Sequence, residues 1–123
     1  MQHQSFRELG VSSDIVRTLA TRSIHEPFPI QALVLPDALA GVDVLGKAPT
    51  GSGKTLAFAV PIVERTVAAD PRPSALVLVP TRELAAQVTD ELEALAPIKG
   101  LKVACAYGGV PISAQAKRDG LLV

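Results

Sequence analysis

The sequence predicts an α/β fold in which helices flank a mostly parallel sheet, giving three layers. Apolar runs of strand length alternate with helical segments through short connections. Residues 75–79 are continuously apolar, which is typical of a parallel strand buried on both faces. A glycine-rich turn at residues 48–55 leads directly into another apolar helical segment. Parallel sheets of this kind bind ligands beyond the carboxyl ends of their strands, so functional residues are expected there.

The chain before the glycine-rich turn predicts two helices and a strand. Ser12 and Ser13 are candidate caps for a short helix, and the prolines of residues 26–30 end it. A second helical segment at residues 30–40 contains Pro36, which predicts a kink or a break. Residues 42–48 then form a short buried strand that feeds the turn. The face that the first helix buries is predicted to consist of Ile15, Val16 and Leu19.

The chain after the turn predicts further alternation. Residues 53–68 form a helix that packs against the sheet, and residues 81–96 form an amphipathic helix. Residues 101–109 are a third strand that ends in a diglycine, and residues 111–120 resemble one more short helix. The final "LLV" begins a fourth strand. The inner face of the amphipathic helix is predicted to carry Leu84, Val88, Leu92 and Leu95.

Composition places the chain among cytoplasmic globular proteins. Its 123 residues allow one domain with a real core, and 48% of them are hydrophobic. Twelve basic residues balance 12 acidic ones, so any binding of a polyanion must be local. The single cysteine, Cys105, indicates a reducing compartment, and no apolar run is long enough to cross a membrane. His3 and His25 lack metal-ligand spacing.

The stretch "APTGSGKT" has the pattern of a phosphate-binding loop. Glycines free successive backbone N–H groups to converge on an anion at a helix N-terminus. Lys54 would place its charge against the terminal phosphates, and the Thr55 hydroxyl would ligate Mg²⁺. The alternative is a strand–helix turn with a surface lysine. The predicted nucleotide-binding residues of this loop are Ala48, Pro49, Thr50, Gly51, Ser52, Gly53, Lys54 and Thr55, of which Lys54 and Thr55 are the candidate catalytic residues.

Two upstream residues could select the base. A glutamine amide such as that of Gln31 can pair twice with adenine, and an aromatic ring such as that of Phe6 can stack on a base. By pattern alone, however, a lone glutamine before a helix usually faces solvent, and a lone phenylalanine usually belongs to the core.

The order and spacing of these motifs resemble the DEAD-box RNA helicases. "F…SIHEPFPIQ", "APTGSGKT", "PTRELAAQ" and "GG" look like the Q motif with its upstream aromatic residue, motif I, motif Ia and the GG motif. The resemblance implies a truncated RecA-like phosphate-loop NTPase, with a Q-motif region at residues 1–31 and a partial ATP-binding domain at residues 32–123. The chain departs from the common Q motif at Ser23 and Ile24, where Gly-Phe is usual, and at Phe28, where Thr is usual.

The resemblance also implies ligands and roles. Phe6 would stack on the adenine of ATP or ADP, Gln31 would pair with its edge, and Mg²⁺ would bind at Thr55. An RNA backbone would follow the predicted RNA-binding residues, which are Pro80, Thr81, Arg82, Glu83, Gly108 and Gly109. Thr81 and Glu83 could alternatively cap the helix that follows, and the diglycine could be only a turn.

The family's acidic motif is not found in these 123 residues, because no run of four apolar residues is followed directly by paired acids. Such an acid would hold Mg²⁺ and orient the attacking water. We therefore expect a fragment of a longer helicase, inactive alone, whose exposed sheet edges would favour dimerisation or aggregation. The alternatives are a non-catalytic nucleotide- or RNA-binding module and an unrelated phosphate-loop enzyme such as a small-molecule kinase.

Overall fold

The computed structural model describes residues 4–69, 74–106 and 121–122. The chain forms two compact units, Met1–Arg65 and Thr66–Val123. The described part of the first unit is mainly helical, with a segment of no regular secondary structure before the glycine-rich turn. The second unit contains a small parallel sheet and one long helix.

Helix α1 spans Ser13–Thr21 and buries Ile15 and Leu19 completely, as its apolar spacing predicts. Ser12 occupies the N-cap position, but its hydroxyl makes no capping hydrogen bond. Its backbone N–H instead donates to Oε1 of Glu64 at 3.0 Å. The start of α1 is therefore held by a distant carboxylate rather than by its own cap.

Helix α2 spans Pro29–Leu39 and helix α3 spans Lys54–Arg65. Pro36 does not split α2, since Ala40 N–H still donates to the Pro36 carbonyl at 3.2 Å and the helix completes its last turn. The two helices pack together. Nη1 of Arg65 donates to the carbonyl oxygen of Leu39 at 3.1 Å, which ties the end of α3 to the end of α2.

The predicted buried strand at residues 42–48 is wrong as stated. The segment has no regular secondary structure and joins no ladder among the described residues, and Val42, Val44 and Leu45 are exposed. Gly46 lies against α2, where a Cβ would come within 3.5 Å of Val34 Cγ2. An extended segment becomes a strand only where a neighbouring strand supplies hydrogen bonds, and the apolar pattern of the segment carries no information about that neighbour.

The sheet of the second unit confirms a parallel arrangement. Strands β1 (Ala75–Leu76), β2 (Val103–Ala104) and β3 (Leu121–Leu122) lie in the order β1-β3-β2, with both pairings parallel. Leu121 pairs with Ala75 on one side and with Val103 on the other. The prediction that the final apolar residues begin a strand is confirmed, and that strand is the central one of the three.

The expectation that residues 75–79 are buried on both faces is wrong. Only two of these residues belong to β1, and Leu76 and Leu78 are exposed. β1 pairs with β3 alone among the described strands, so it is an edge strand there. The burial of a strand depends on the layers that cover it, and an apolar run cannot report them.

Helix α4 spans Arg82–Leu95 and continues into a 3₁₀ turn at Ala96–Lys99. Leu84, predicted on the inner face, is only half-buried, and Ala85 is buried in its place. The buried residues of α4 are Ala85, Val88, Leu92 and Leu95, which recur at helical spacing. The helix predicted at residues 111–120 lies outside the described residues.

Along the chain, the division between the two compact units falls between Arg65 and Thr66. The boundary drawn from the motifs after Gln31 falls inside α2, which continues to Leu39. The division into residues 1–31 and 32–123 thus remains a prediction about motifs and does not mark a break between compact bodies.

Candidate functional site

The glycine-rich turn runs directly into α3, whose first residue is Lys54. Gly51 and Gly53 adopt φ values of 80° and 84°, in the left-handed region that side chains disfavour. The first N–H groups of a helix have no acceptor inside it, and the positive end of its dipole lies there. The turn therefore presents donors and positive potential at one point, which is the arrangement that binds a phosphate.

Position 53 also requires glycine because there is no room for a side chain. A Cβ at this position would lie 2.5 Å from Nε2 of Gln31 and 2.6 Å from Cδ2 of Phe28. A Cβ essentially never comes within 3.0 Å of a non-bonded heavy atom, so any larger residue would displace the loop or its two neighbours. By contrast, a Cβ at Gly51 would meet nothing within 4 Å.

Gln31 links the start of α2 to the phosphate loop. Its Nε2 donates to the carbonyl oxygen of Gly53 at 3.0 Å, and its Oε1 accepts from the backbone N–H of Phe28 at 2.9 Å. The residue is 1% exposed and is the buried polar residue of the described core. A buried amide with both ends hydrogen-bonded fixes the positions of its two partners. The alternative in which Gln31 faces solvent is therefore wrong.

The ring of Phe6 is 2% exposed. Leu9 and Val11, which follow it in the chain, are also buried. The structure therefore supports the alternative in which Phe6 is a core residue. Stacking on a base would require a movement that uncovers the ring, and it stays an untested prediction.

The remaining loop residues provide the charge and hydroxyls that a nucleotide would use. Lys54 is exposed at the helix start, and Thr55 is half-buried beside it. Oγ of Ser52 is buried without a hydrogen-bond partner, while the Ser52 N–H donates to the Pro49 carbonyl at 3.3 Å. An unpartnered buried hydroxyl between two left-handed glycines fits a loop that completes its hydrogen bonds around a ligand.

The second predicted segment, residues 80–83, lies in the other compact unit and is exposed throughout. Oγ1 of Thr81 accepts from the backbone N–H of Leu84 at 3.1 Å, so Thr81 is the N-cap of α4. Glu83 lies in the first turn of this helix, where an acid favours the dipole. The capping role of Thr81 is thus confirmed, and it leaves Arg82 exposed on the same turn. Gly108 and Gly109 lie outside the described residues.

The structure brings together two of the predicted site elements, Gln31 and the glycine loop. It also adds Phe28, which sequence reasoning noted only as a departure from the common motif. Phe28 is 53% exposed, although it is a large aromatic residue. Its position three residues before Gln31 was visible in the sequence, but its contact with Gly53 depends on how α2 packs on α3.

Two features are absent from the described residues. No group of three or more histidine, cysteine or acidic side chains there could hold a metal ion. In the same parts of the chain, no helix has both the length and the apolar composition needed to cross a membrane.

A parallel sheet, a glycine loop with two left-handed glycines and a helix that begins at Lys54 are the features of the RecA-like phosphate-loop NTPase fold. The chain belongs to the DEAD/DEAH box helicase family, whose model matches residues 28–120. It is 49% identical over 113 residues to DEAD-box ATP-dependent RNA helicase 53 of Oryza sativa subsp. japonica. That match covers 87% of this chain and 18% of the rice protein, so the chain spans about a fifth of that relative.

Solved structures agree with this assignment. A DEAD box protein from Methanococcus jannaschii is 37% identical, with a TM-score of 0.90 over 99% of this chain and 35% of that one. The RNA helicase Prp28 from Chaetomium thermophilum, solved bound to ADP, is 32% identical, with a TM-score of 0.82 over 99% of this chain and 32% of that one. The predicted α/β phosphate-loop fold and the resemblance to DEAD-box helicases are confirmed.

Proposed function

We propose that this chain is the ATP-binding part of an ATP-dependent RNA helicase, a protein that couples ATP hydrolysis to local opening of RNA duplexes. The observation that carries the proposal is the hydrogen bond from Gln31 to Gly53, because it joins a base-reading amide to the phosphate loop. Membership of the helicase family supports it, as does the ADP bound to the 32% identical Prp28 structure.

The phosphates of ATP or ADP would lie on the loop from Ala48 to Thr55. Backbone N–H groups around Gly51 and Gly53 would surround the anion, and Lys54 would neutralise its terminal charge. The Thr55 hydroxyl would ligate Mg²⁺, a hard cation that prefers oxygen ligands. All of these groups are near the N-terminus of α3, where the helix dipole favours negative charge.

Gln31 can select adenine without giving up its structural bonds. A primary amide has two N–H donors and two lone pairs on its oxygen, and each end of Gln31 has used one. The remaining donor and lone pair are the two that adenine requires, whereas guanine presents two acceptors on the same edge. Because the side chain is 1% exposed, the base must reach it through a local opening of the surrounding residues.

RNA would bind at the start of α4, through Pro80, Thr81, Arg82 and Glu83, and at the diglycine Gly108 and Gly109. Arg82 is exposed and is the first residue of α4, and both arginine side chains and the N–H groups at a helix start bind phosphate oxygens. Contacts to the backbone give binding without sequence preference, which suits a protein that acts on many RNA duplexes. We place the protein in the cytoplasm, a reducing compartment compatible with its single cysteine.

Nucleotide binding tests the first half of the proposal. Fluorescent ADP is titrated into the chain with Mg²⁺ and competed with ATP, ADP and GTP. ATP and ADP should compete much more strongly than GTP, and Lys54→Ala should weaken binding at least tenfold through the loss of a charged contact. Lys47→Ala is the matched control, because Lys47 is an exposed lysine outside the loop pattern. Equal competition by GTP would remove the role of Gln31 as a selector.

RNA binding tests the proposed contact of Arg82 with an RNA backbone. The affinity of the chain for a single-stranded oligonucleotide is measured as a function of salt concentration. Arg82→Ala should weaken binding of all sequences alike and reduce the salt slope by about 0.7, the contribution of one phosphate contact on a single strand. Arg17→Ala is the control, since Arg17 is an exposed arginine that pairs with Asp14 in α1. An unchanged slope for Arg82→Ala would exclude this contact.

A further inference from the structure

We infer that Phe28 is the residue that the base of the bound nucleotide contacts, a role that the sequence resemblance had given to Phe6. The inference rests on the proposed function, since it concerns the nucleotide that the phosphate loop would hold. It is specific to this chain, because Phe28 occupies a position where the common Q motif has threonine.

The ring of Phe28 lies against the phosphate loop. Cδ2 of Phe28 lies 2.6 Å from the position that a Cβ on Gly53 would take, so the ring edge rests on the loop at its second left-handed glycine. Nε2 of Gln31 lies 2.5 Å from the same position. The ring, the selecting amide and the loop backbone are therefore immediate neighbours.

The ring of Phe28 is also exposed to solvent. Phe28 is 53% exposed, whereas Phe6 is 2% exposed and Phe58 is partly buried in α3. A ring that is held along one edge and open elsewhere offers its surface to a ligand that already lies on the loop. Among the described aromatic side chains, Phe28 combines contact with the loop and an open surface.

Hydrogen bonds hold the backbone of Phe28 in place. The backbone N–H of Phe28 donates to Oε1 of Gln31 at 2.9 Å, and its carbonyl accepts from Ala32 N–H at 3.0 Å. Both bonds fix the first turn of α2, and Pro29 restrains the chain between them. The ring therefore projects from a fixed backbone, which lowers the entropy that a contact with the base would cost.

The chemistry of a nucleotide matches this arrangement. Its phosphates bind at the loop, and its base is a flat apolar surface with a polar edge. Aromatic stacking favours every base because each base has a π face, so the contact adds affinity while Gln31 supplies selectivity. Removing the ring should consequently weaken the binding of adenine and guanine nucleotides by the same factor. The binding of a ligand without a base should not change.

The test compares Phe28→Thr with wild type in the binding of fluorescent ADP, unlabelled GDP and inorganic pyrophosphate. Threonine restores the common family residue and is a good helix cap, so the variant should fold. ADP and GDP should each bind about fivefold to a hundredfold more weakly, and pyrophosphate should bind as in wild type. Phe28→Tyr should retain the affinity for ADP. Leu33→Thr is the matched control, because Leu33 is an exposed apolar residue of the same helix.

Each other outcome overturns the inference in a distinguishable way. If Phe28→Thr binds ADP as tightly as wild type, the ring makes no contact with the base and the proposed function stands. If ADP and pyrophosphate weaken equally, Phe28 acts only by shaping the loop. If wild type binds neither ADP nor pyrophosphate, the proposed function fails together with the inference.

Discussion

The amide of Gln31 bonds to the Gly53 carbonyl across 22 positions of sequence, at 3.0 Å. Its other end accepts from Phe28 N–H at 2.9 Å. One buried side chain thus connects the residue before α2 with the residue before α3. Such a link makes the shape of the phosphate loop dependent on the start of α2, and it can be tested through stability and binding together.

Replacing Gln31 with alanine should destabilise the chain. The substitution leaves the Phe28 N–H and the Gly53 carbonyl without their partner and opens a cavity, at a cost of about 2–4 kcal/mol. The free energy of unfolding, from urea denaturation followed by circular dichroism, measures it. Gln87→Ala is the matched control, since Gln87 is exposed on α4 and its loss should change stability by no more than about 0.5 kcal/mol. Equal effects of the two substitutions would contradict a structural role for the amide.

Gly53→Ala should disturb the loop more than the same change at another left-handed glycine. Both Gly53 and Gly100 have positive φ, at 84° and 68°, so each alanine incurs strain of about 1 kcal/mol. Only at Gly53 would the new methyl group collide with Gln31 and Phe28, whereas at Gly100 it meets nothing within 4 Å. Binding of fluorescent ADP should fall at least tenfold for Gly53→Ala and stay unchanged for Gly100→Ala. Comparable affinities would show that the loop tolerates the methyl group.

Ser23 is the non-glycine residue with positive φ among the described residues, at 62°. It follows the end of α1, where its N–H donates to the Ala20 carbonyl and the Ile24 N–H donates to the Leu19 carbonyl. Glycine is the residue that such a helix end prefers, and it is also common at this position in the family. Ser23→Gly should therefore raise the free energy of unfolding by about 0.5–1 kcal/mol, measured in urea. Ser23→Ala keeps the strained backbone and should not raise the free energy of unfolding. If both substitutions raised it, the cause would be the loss of the serine hydroxyl and not the relief of strain.

Local chemistry explains which parts of the fold the sequence could predict. The start of α3 at Lys54 follows from the glycine pattern, and the cap of α4 follows from the hydroxyl of Thr81. Both features depend on residues within a few positions of each other. The parallel arrangement of the sheet also follows, because strand-like runs separated by helices require crossover connections.

The errors share a different cause, namely contacts made by residues far apart in the chain. From pattern alone a lone phenylalanine such as Phe6 is usually a core residue, the resemblance assigns it to base stacking, and the fold shows that it is buried. The bond between Gln31 and Gly53 depends on the packing of α2 against α3. The unpaired state of residues 42–48 depends on a strand neighbour that those residues do not specify.

Residues 42–48 should drive self-association of this chain. The segment joins no β-ladder among the described residues, and Val42, Val44 and the fully exposed Leu45 lie on its surface. Unpaired N–H and C=O groups beside apolar side chains favour pairing with another copy, and a lysine on such an edge opposes it. Light scattering over a concentration series should show growth of the apparent mass for wild type and less growth for Leu45→Lys. Val67→Lys adds the same charge at an exposed apolar residue outside the segment and should leave the growth unchanged. A monomer at every concentration for wild type would remove the prediction.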